Sequence, residues 1–292
     1  MVVLVLVPAS WEDAGAGEPS STDVRTRAAA PSCGPAVLRK PDGTEWRCSF
    51  ADEFDGRRLS DARWTRMTTA ATSWTGGPEC YLDSGPNVRL RDGKLLLTVR
   101  QEAQSFLCDR VLLDSMSEYT GGSISTYGRF SQIYGRYEFR AAFPRARTTG
   151  LHSALWLYPV KQAYAGLVPK SGEIDVAEFY TRYPGRVIPF LHYTGDFVDQ
   201  NRTNNYCFVR KPWRFHTYLL VWTPASIRIA YDGKTCLKNS RWTPLLLQRP
   251  APFDHPYAIN LTQALGIGHN PFSPSRTELP ATMRVDYVRV WK

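Results

Sequence analysis

Gly172-Glu173-Ile174-Asp175-Val176-Ala177-Glu178 sets three carboxylates within six consecutive positions of a segment that otherwise reads as a buried strand. Side chains of a strand alternate faces, so Glu173 and Asp175 point the same way and Ala177 would follow them. Glu178 falls out of step by one. A one-residue bulge at Val176-Ala177 would return it to the face of the other two acids. Three acids then share one cleft, where burial and like charge drive their pKa values apart. Such repulsion does nothing for a fold, but paired carboxylates with separated pKa values are what a glycosidase requires.

The flanking chain supports a strand reading. Leu151 to Tyr158 is apolar and ends at Pro159, and Tyr134 to Phe143 carries Tyr137 and Phe139 before halting at Pro144. Tyr218 to Trp222 stops at Thr223-Pro224. Ile227, Ile229 and Tyr231 alternate with polar residues and run into Asp232-Gly233, a hairpin signal. Leu95 to Val99 follows Asp92-Gly93, and Met283 to Trp291 closes the chain with another strand-like run. Helical periodicity is scarce and no strand–helix–strand rhythm is present. Short strands with Gly and Pro punctuation indicate an all-β sandwich or jelly roll.

The chain has 292 residues, ample for one large β domain, with 13% aromatic and 22% charged residues. The formal net charge is +9. Its Lys and Arg are scattered, and the densest patch (Arg136, Arg140, Arg145, Arg147) is interrupted by apolar strand positions, which argues against nucleic acid. No apolar stretch reaches the ~18 residues of a membrane helix. Met1 to Pro8 is apolar and precedes Ala14-Gly15-Ala16, a small-x-small cleavage pattern, although a basic leading region is missing. Residues 1–32 are therefore read as a signal remnant and disordered leader, and 33–292 as a single catalytic domain. Six cysteines (Cys33, Cys48, Cys80, Cys108, Cys207, Cys236) form no CxxC pair, which argues against zinc and for disulfides in an oxidising compartment. Of fifteen possible pairings, the sequential one is preferred: Cys33–Cys48, Cys80–Cys108, Cys207–Cys236. The expectation is a secreted monomer.

The chain resembles glycoside hydrolase family 16, the laminarinase-like β-glucanases, whose signature E-[ILV]-D-x-x-E is met by Glu173 to Glu178. Further blocks follow in order: Phe50 to Gly56 with Trp64, Asn87-Val88-Arg89, Asp92 to Leu95, Tyr134 to Glu138 with Pro144, Leu155-Trp156-Leu157, Phe215 to Tyr218, Trp222-Thr223-Pro224 and Val285 to Val290. The resemblance implies a concanavalin A-like jelly roll of two curved antiparallel sheets with the glycan across the concave one. It implies retention of anomeric configuration, with Glu173 similar to the nucleophile, Glu178 to the general acid/base, and Asp175 hydrogen-bonded to Glu173. With the bulge discounted the two glutamates stand ~13 Å apart along the backbone, and their side chains can lean to the ~5–5.5 Å between the carboxyls of retaining enzymes.

Trp156 and Tyr158 alternate with Leu155 and Leu157, so one pair faces the cleft and can stack on sugar rings. The resemblance places His192 beside the acids and Asn87 at a glycone subsite, where the alternatives are a structural histidine and a turn-forming asparagine. Gln263 could also face the cleft. No cofactor is required for catalysis. A structural calcium is implied on the convex side, held by Asp286 and by the backbone carbonyls of Glu53 and Gly93. His152, with Ser153-Ala154, stands where laminarinases carry a tryptophan with a Pro-Ala step, which loosens the tie to β-1,3-glucan. Arg136, Lys161, Lys170 and Arg182 leave room for an anionic glycan. The leading expectation is an endo-acting hydrolase of β-1,3- or mixed β-1,3/1,4-glucan. Its rivals are a transglycosylase, a hydrolase of another polysaccharide such as a galactan, and a lectin-like carbohydrate-binding protein. The last would not need both glutamates.

Overall fold

The computed structural model describes residues 31–72, 75–109, 114–164, 171–194, 202–242 and 246–292. Met1 to Ala30, which hold the expected signal segment and nearly all of the leader, lie outside the described residues, as does Lys170. In chain order the strands begin with β1 (Cys48–Asp52), β2 (Thr65–Arg66), β3 (Cys80–Tyr81), β4 (Val88–Arg91) and β5 (Lys94–Cys108). They continue with β6 (Ser115–Ser125), β7 (Gly135–Ala142), β8 (Leu151–Pro159), β9 (Glu173–Tyr180) and β10 (Ile188–His192). The last are β11 (His216–Trp222), β12 (Ile227–Tyr231), β13 (Lys234–Asn239), β14 (Tyr257–Leu265) and β15 (Ala281–Trp291). One four-residue helix, Thr69–Thr72, interrupts them.

Hydrogen bonding runs in the order β10-β9-β8-β14-β6-β5-β15-β7-β11-β12-β13. The long β5 changes partner along its length, pairing first with β15 and then with β6, and so carries the path from one layer to the other. The result is the jelly roll expected from the strand pattern. Pairing is antiparallel throughout this path; β3, set beside β6, is parallel. The three disulfides join Cys33–Cys48, Cys80–Cys108 and Cys207–Cys236, the sequential pairing. Bridges of this kind belong to an oxidising compartment.

One apolar cluster, from Phe50 to Val290, fills the space between the layers. From β9 it takes Ile174, Val176, Ala177 and Phe179; from β11 and β12 it takes Tyr218, Leu220, Trp222, Ile227, Ile229 and Tyr231. Phe179 stacks on Phe143 with ring centroids 5.2 Å apart. Each buried large apolar side chain contributes about 1.5–3 kcal/mol. That anchorage on the inner face lets the outer face of the same strand carry mutually repelling acids. Gly172 opens β9 at a φ of +78°, and a Cβ there would come within 2.4 Å of the Tyr257 hydroxyl. Glycine is needed at that corner because both the backbone angle and the ring of Tyr257 exclude a side chain.

Candidate active site

The ladder between β8 and β9 contains the irregularity that the acids demanded. Ala154 pairs with Glu178 and Leu155 with Ala177, but Trp156 pairs with Asp175, leaving Val176 as the extra residue. The same slip is seen from the other side, where Ile188 faces Glu178 and Phe190 faces Asp175. Register therefore puts Glu173, Asp175 and Glu178 on one face. The carbonyl freed at Val176 does not go unpaired: the Tyr231 hydroxyl reaches across the core and donates to it at 2.8 Å. A buried backbone carbonyl left alone would cost about 1–3 kcal/mol, so Tyr231 holds the bulge open from the opposite layer.

Around the acids the outer face is built from short side chains and a few rings. Across β8 the row His152, Ala154, Trp156, Tyr158 runs beside Tyr180, Glu178, Asp175 and Glu173, with Ala258, Asn260, Thr262 and Ala264 of β14 next to it. Trp156 and Tyr158 are half-buried on this face while Leu155 and Leu157 are in the core. Trp156 Nε1 donates to Thr262 Oγ1 at 3.1 Å. Burial and the charge of Glu173 push the Tyr158 hydroxyl up to about 12, so it stays a donor. His192 sits opposite Glu173, its Nε2 3.2 Å from Asp175 Oδ2 and its ring stacked on Phe190.

Electrostatics separate the acids. Burial, then the charge of Asp175, holds Glu173 well above the ordinary carboxylate range, and the two carboxyls share a hydrogen bond. Burial and the charge of Glu178 raise Asp175 likewise. Burial also pushes Glu178 up, but hydrogen bonding and charge from His152, the charge of His192 and the Tyr180 hydroxyl outweigh it, and the net direction is down. His152 Nε2 lies 2.9 Å from Glu178 Oε1, and Tyr180 donates to the same oxygen at 2.7 Å. The two rings are parallel, centroids 4.5 Å apart. Sequence reasoning noticed His152 only as a missing tryptophan, and did not single out Tyr180. The signal was available for the latter, since it lies two positions after Glu178 on one strand face. Among the described residues, Glu173, Asp175 and His192 are the group whose metal-type ligand atoms cluster, within 4.8 Å. They are the atoms the acid chemistry itself uses.

Three expectations need correction. Asn87 is 1% exposed and its amide is consumed internally: Nδ2 donates to Thr98 O and Thr120 Oγ1, each at 2.9 Å, and Oδ1 accepts from Ser84. It closes the turn before β4 and offers nothing to a sugar. Gln263 pairs with Ser153, so it shares the inward face of Leu155 and Leu261, where Oε1 accepts from Ser153 at 2.6 Å. The calcium set does not fit. Asp286 is paired with Arg140 and, at 3.5 Å, with Lys94. Two cations already neutralise the one carboxylate a dication would need. The basic rim is also smaller than expected. Arg136 belongs to β7 in the other layer, bound to Glu138 and lying over Trp291. Arg182 is turned to His269 O at 2.9 Å.

Comparison with known proteins identifies the family. The model of the family described as "Glycosyl hydrolases family 16" matches residues 83–263. Glucan endo-1,3-beta-glucosidase A1 of Niallia circulans is 34% identical over 260 residues, covering 83% of this chain but only 37% of that longer protein. Glucan endo-1,3-beta-glucosidase of Cryptopygus antarcticus is 31% identical, covering 84% of this chain and 92% of the relative. Among solved structures, the laminarinase from Rhodothermus marinus superposes with a TM-score of 0.70 at 28% identity, over 85% of this chain and 97% of its own. Among the described residues no helix is long and apolar enough to cross a membrane.

Proposed function

The chain belongs to family 16 of the glycosyl hydrolases, and from that premise we propose that it is a secreted, monomeric, endo-acting β-glucanase that cleaves β-1,3- or mixed β-1,3/1,4-linkages with retention. The observation that carries this reading is the bulge at Val176, which sets Glu173 and Glu178 on one face with Asp175 between them. The similar proteins named as endo-1,3-β-glucanases support the choice of glucan.

In the first displacement Glu173 attacks the anomeric carbon and Glu178 gives its proton to the departing glycosidic oxygen. In the free enzyme burial and the charge of Asp175 hold the proton of the Glu173–Asp175 pair on Glu173; its passage to Asp175 across their hydrogen bond leaves Glu173 charged and aimed. His152 Nε2 and the Tyr180 hydroxyl both meet Glu178 Oε1, at 2.9 and 2.7 Å, and fix the acid's orientation. In the second displacement Glu178 takes a proton from water, which attacks the glycosyl-enzyme ester and releases Glu173. Tyr158 and Trp156 supply the ring face and the donor edge that a pyranose needs. The chemistry asks for no cofactor.

Reducing-sugar release from laminarin tests the assignment. Glu173→Gln and Glu178→Gln should each lower kcat by a factor on the order of 10³ or more, with the circular dichroism of the wild type retained. Full activity in either variant would end the proposal.

A further inference from the structure

Beyond β10 the outer face of the acid-bearing layer continues onto the segment that ends in Val209. Arg186 lies two positions before Ile188, the residue paired with Glu178, and forms a bridge with Phe208. Val187, Cys207 and Val209 turn into the core, so Arg186, Tyr206 and Phe208 project from the face that carries the acids. Tyr206 is 71% and Phe208 70% exposed. Together with Tyr183, each ring has its centroid 5.5 Å from the Arg186 guanidinium carbon. Arg182 lies over Tyr183 at 5.9 Å.

Two features separate this cluster from scattered surface aromatics. First, it is held rigidly. Val187 N donates to Cys207 O and Val209 N to Gly185 O, each at 3.0 Å, and Tyr206 N donates to Asn204 Oδ1 at 2.9 Å. The Cys207–Cys236 disulfide ties the segment to β13. Ordering costs are thus met before any ligand arrives. Second, its cation is uncommitted: among the described residues Arg186 has no carboxylate partner, and its side-chain hydrogen bond, to Asn205 O, is a long one at 3.5 Å. A guanidinium has five donors in a fixed fork, of which the described residues engage one at this long distance. Exposed rings with flat apolar faces around a set of free N–H donors match the C–H faces and hydroxyls of a pyranose.

We propose that Tyr183, Arg186, Tyr206 and Phe208 form a glycan-holding platform, outside the catalytic subsites, that grips the flanking part of the same polysaccharide chain that threads the cleft. The occupant follows from continuity, since the platform and the acids share one sheet face, and the inference rests on the glucan reading above.

The test is native gel electrophoresis with laminarin cast into the gel, run on Glu173→Gln protein so that the polymer stays intact. Adding Tyr206→Ala and Phe208→Ala should weaken the retardation about 5–10-fold, since both remove the flat ring faces on which a pyranose would stack. Arg186→Ala should act in the same direction, and all variants should keep the wild-type circular dichroism. Absence of retardation in the parent, or equal retardation in the variants, overturns the platform. Loss of a dimer in the double variant, with retardation unchanged, would reassign the patch to self-association. Hydrolysis of laminarin by the wild-type protein decides the substrate separately: no cleavage sinks the glucan reading, whereas cleavage with unaltered retardation sinks only the platform.

Discussion

At the scale of single residues, the informative exchange is His152 for tryptophan. A tryptophan there would present a ring to substrate; His152 instead places a ring nitrogen 2.9 Å from Glu178, the proposed general acid, while stacking on Tyr180. Its effect on pH dependence has a definite sign. The alkaline limb of kcat/KM reports loss of the proton that the acid must deliver. Hydrogen bonding from His152 and its charge lower Glu178, so removing them raises the residue's pKa and moves that limb to higher pH. His152→Phe keeps the stacked ring and deletes the nitrogen. A pH–rate profile of this variant should show the alkaline limb displaced upward, together with a lower kcat; an unmoved limb would mean that the imidazole only fills space. The three acids were legible from spacing alone, since only a bulge makes chemical use of Glu178. Asn87 and Gln263 were not legible, because whether an amide faces solvent or closes a turn depends on partners far along the chain, such as Thr120 and Ser153.

At the scale of elements, β9 cannot keep its irregularity by itself. The unpaired carbonyl of Val176 is satisfied from β12, in the other layer. Tyr231→Phe removes that donor and leaves a buried acceptor unpaired, for an expected stability loss of about 1–3 kcal/mol. A misplaced Glu178 should also lower kcat by roughly 10–100-fold, with KM much less affected. Tyr218→Phe is the control, because among the described residues the buried Tyr218 hydroxyl has no hydrogen-bond partner, and it should change neither quantity appreciably. Denaturant melts and steady-state kinetics on both variants separate the outcomes; equal behaviour of the two would remove Tyr231 from the positioning role. Strand existence was readable from alternation and Gly/Pro punctuation. The cross-layer bond was not, since Val176 and Tyr231 are 55 positions apart and nothing local marks either as a partner.

For the whole molecule, the resemblance carried the architecture correctly but overreached on the ion. The layer that turns away from the acids is held together at Asp286 by Arg140 and Lys94, side chains from β7 and β5. Position alone made Asp286 look like a ligand; the two basic residues that answer it come from strands distant in sequence. Chelation with EDTA should therefore leave Tm unchanged, and added calcium should not raise it. A melt that shifts with either reagent would restore the cation site. A β-sandwich that supplies its own counter-charges need not find them in its surroundings. Media in which oxalate, citrate or phosphate leave little free alkaline-earth metal should thus be as hospitable to it as hard water.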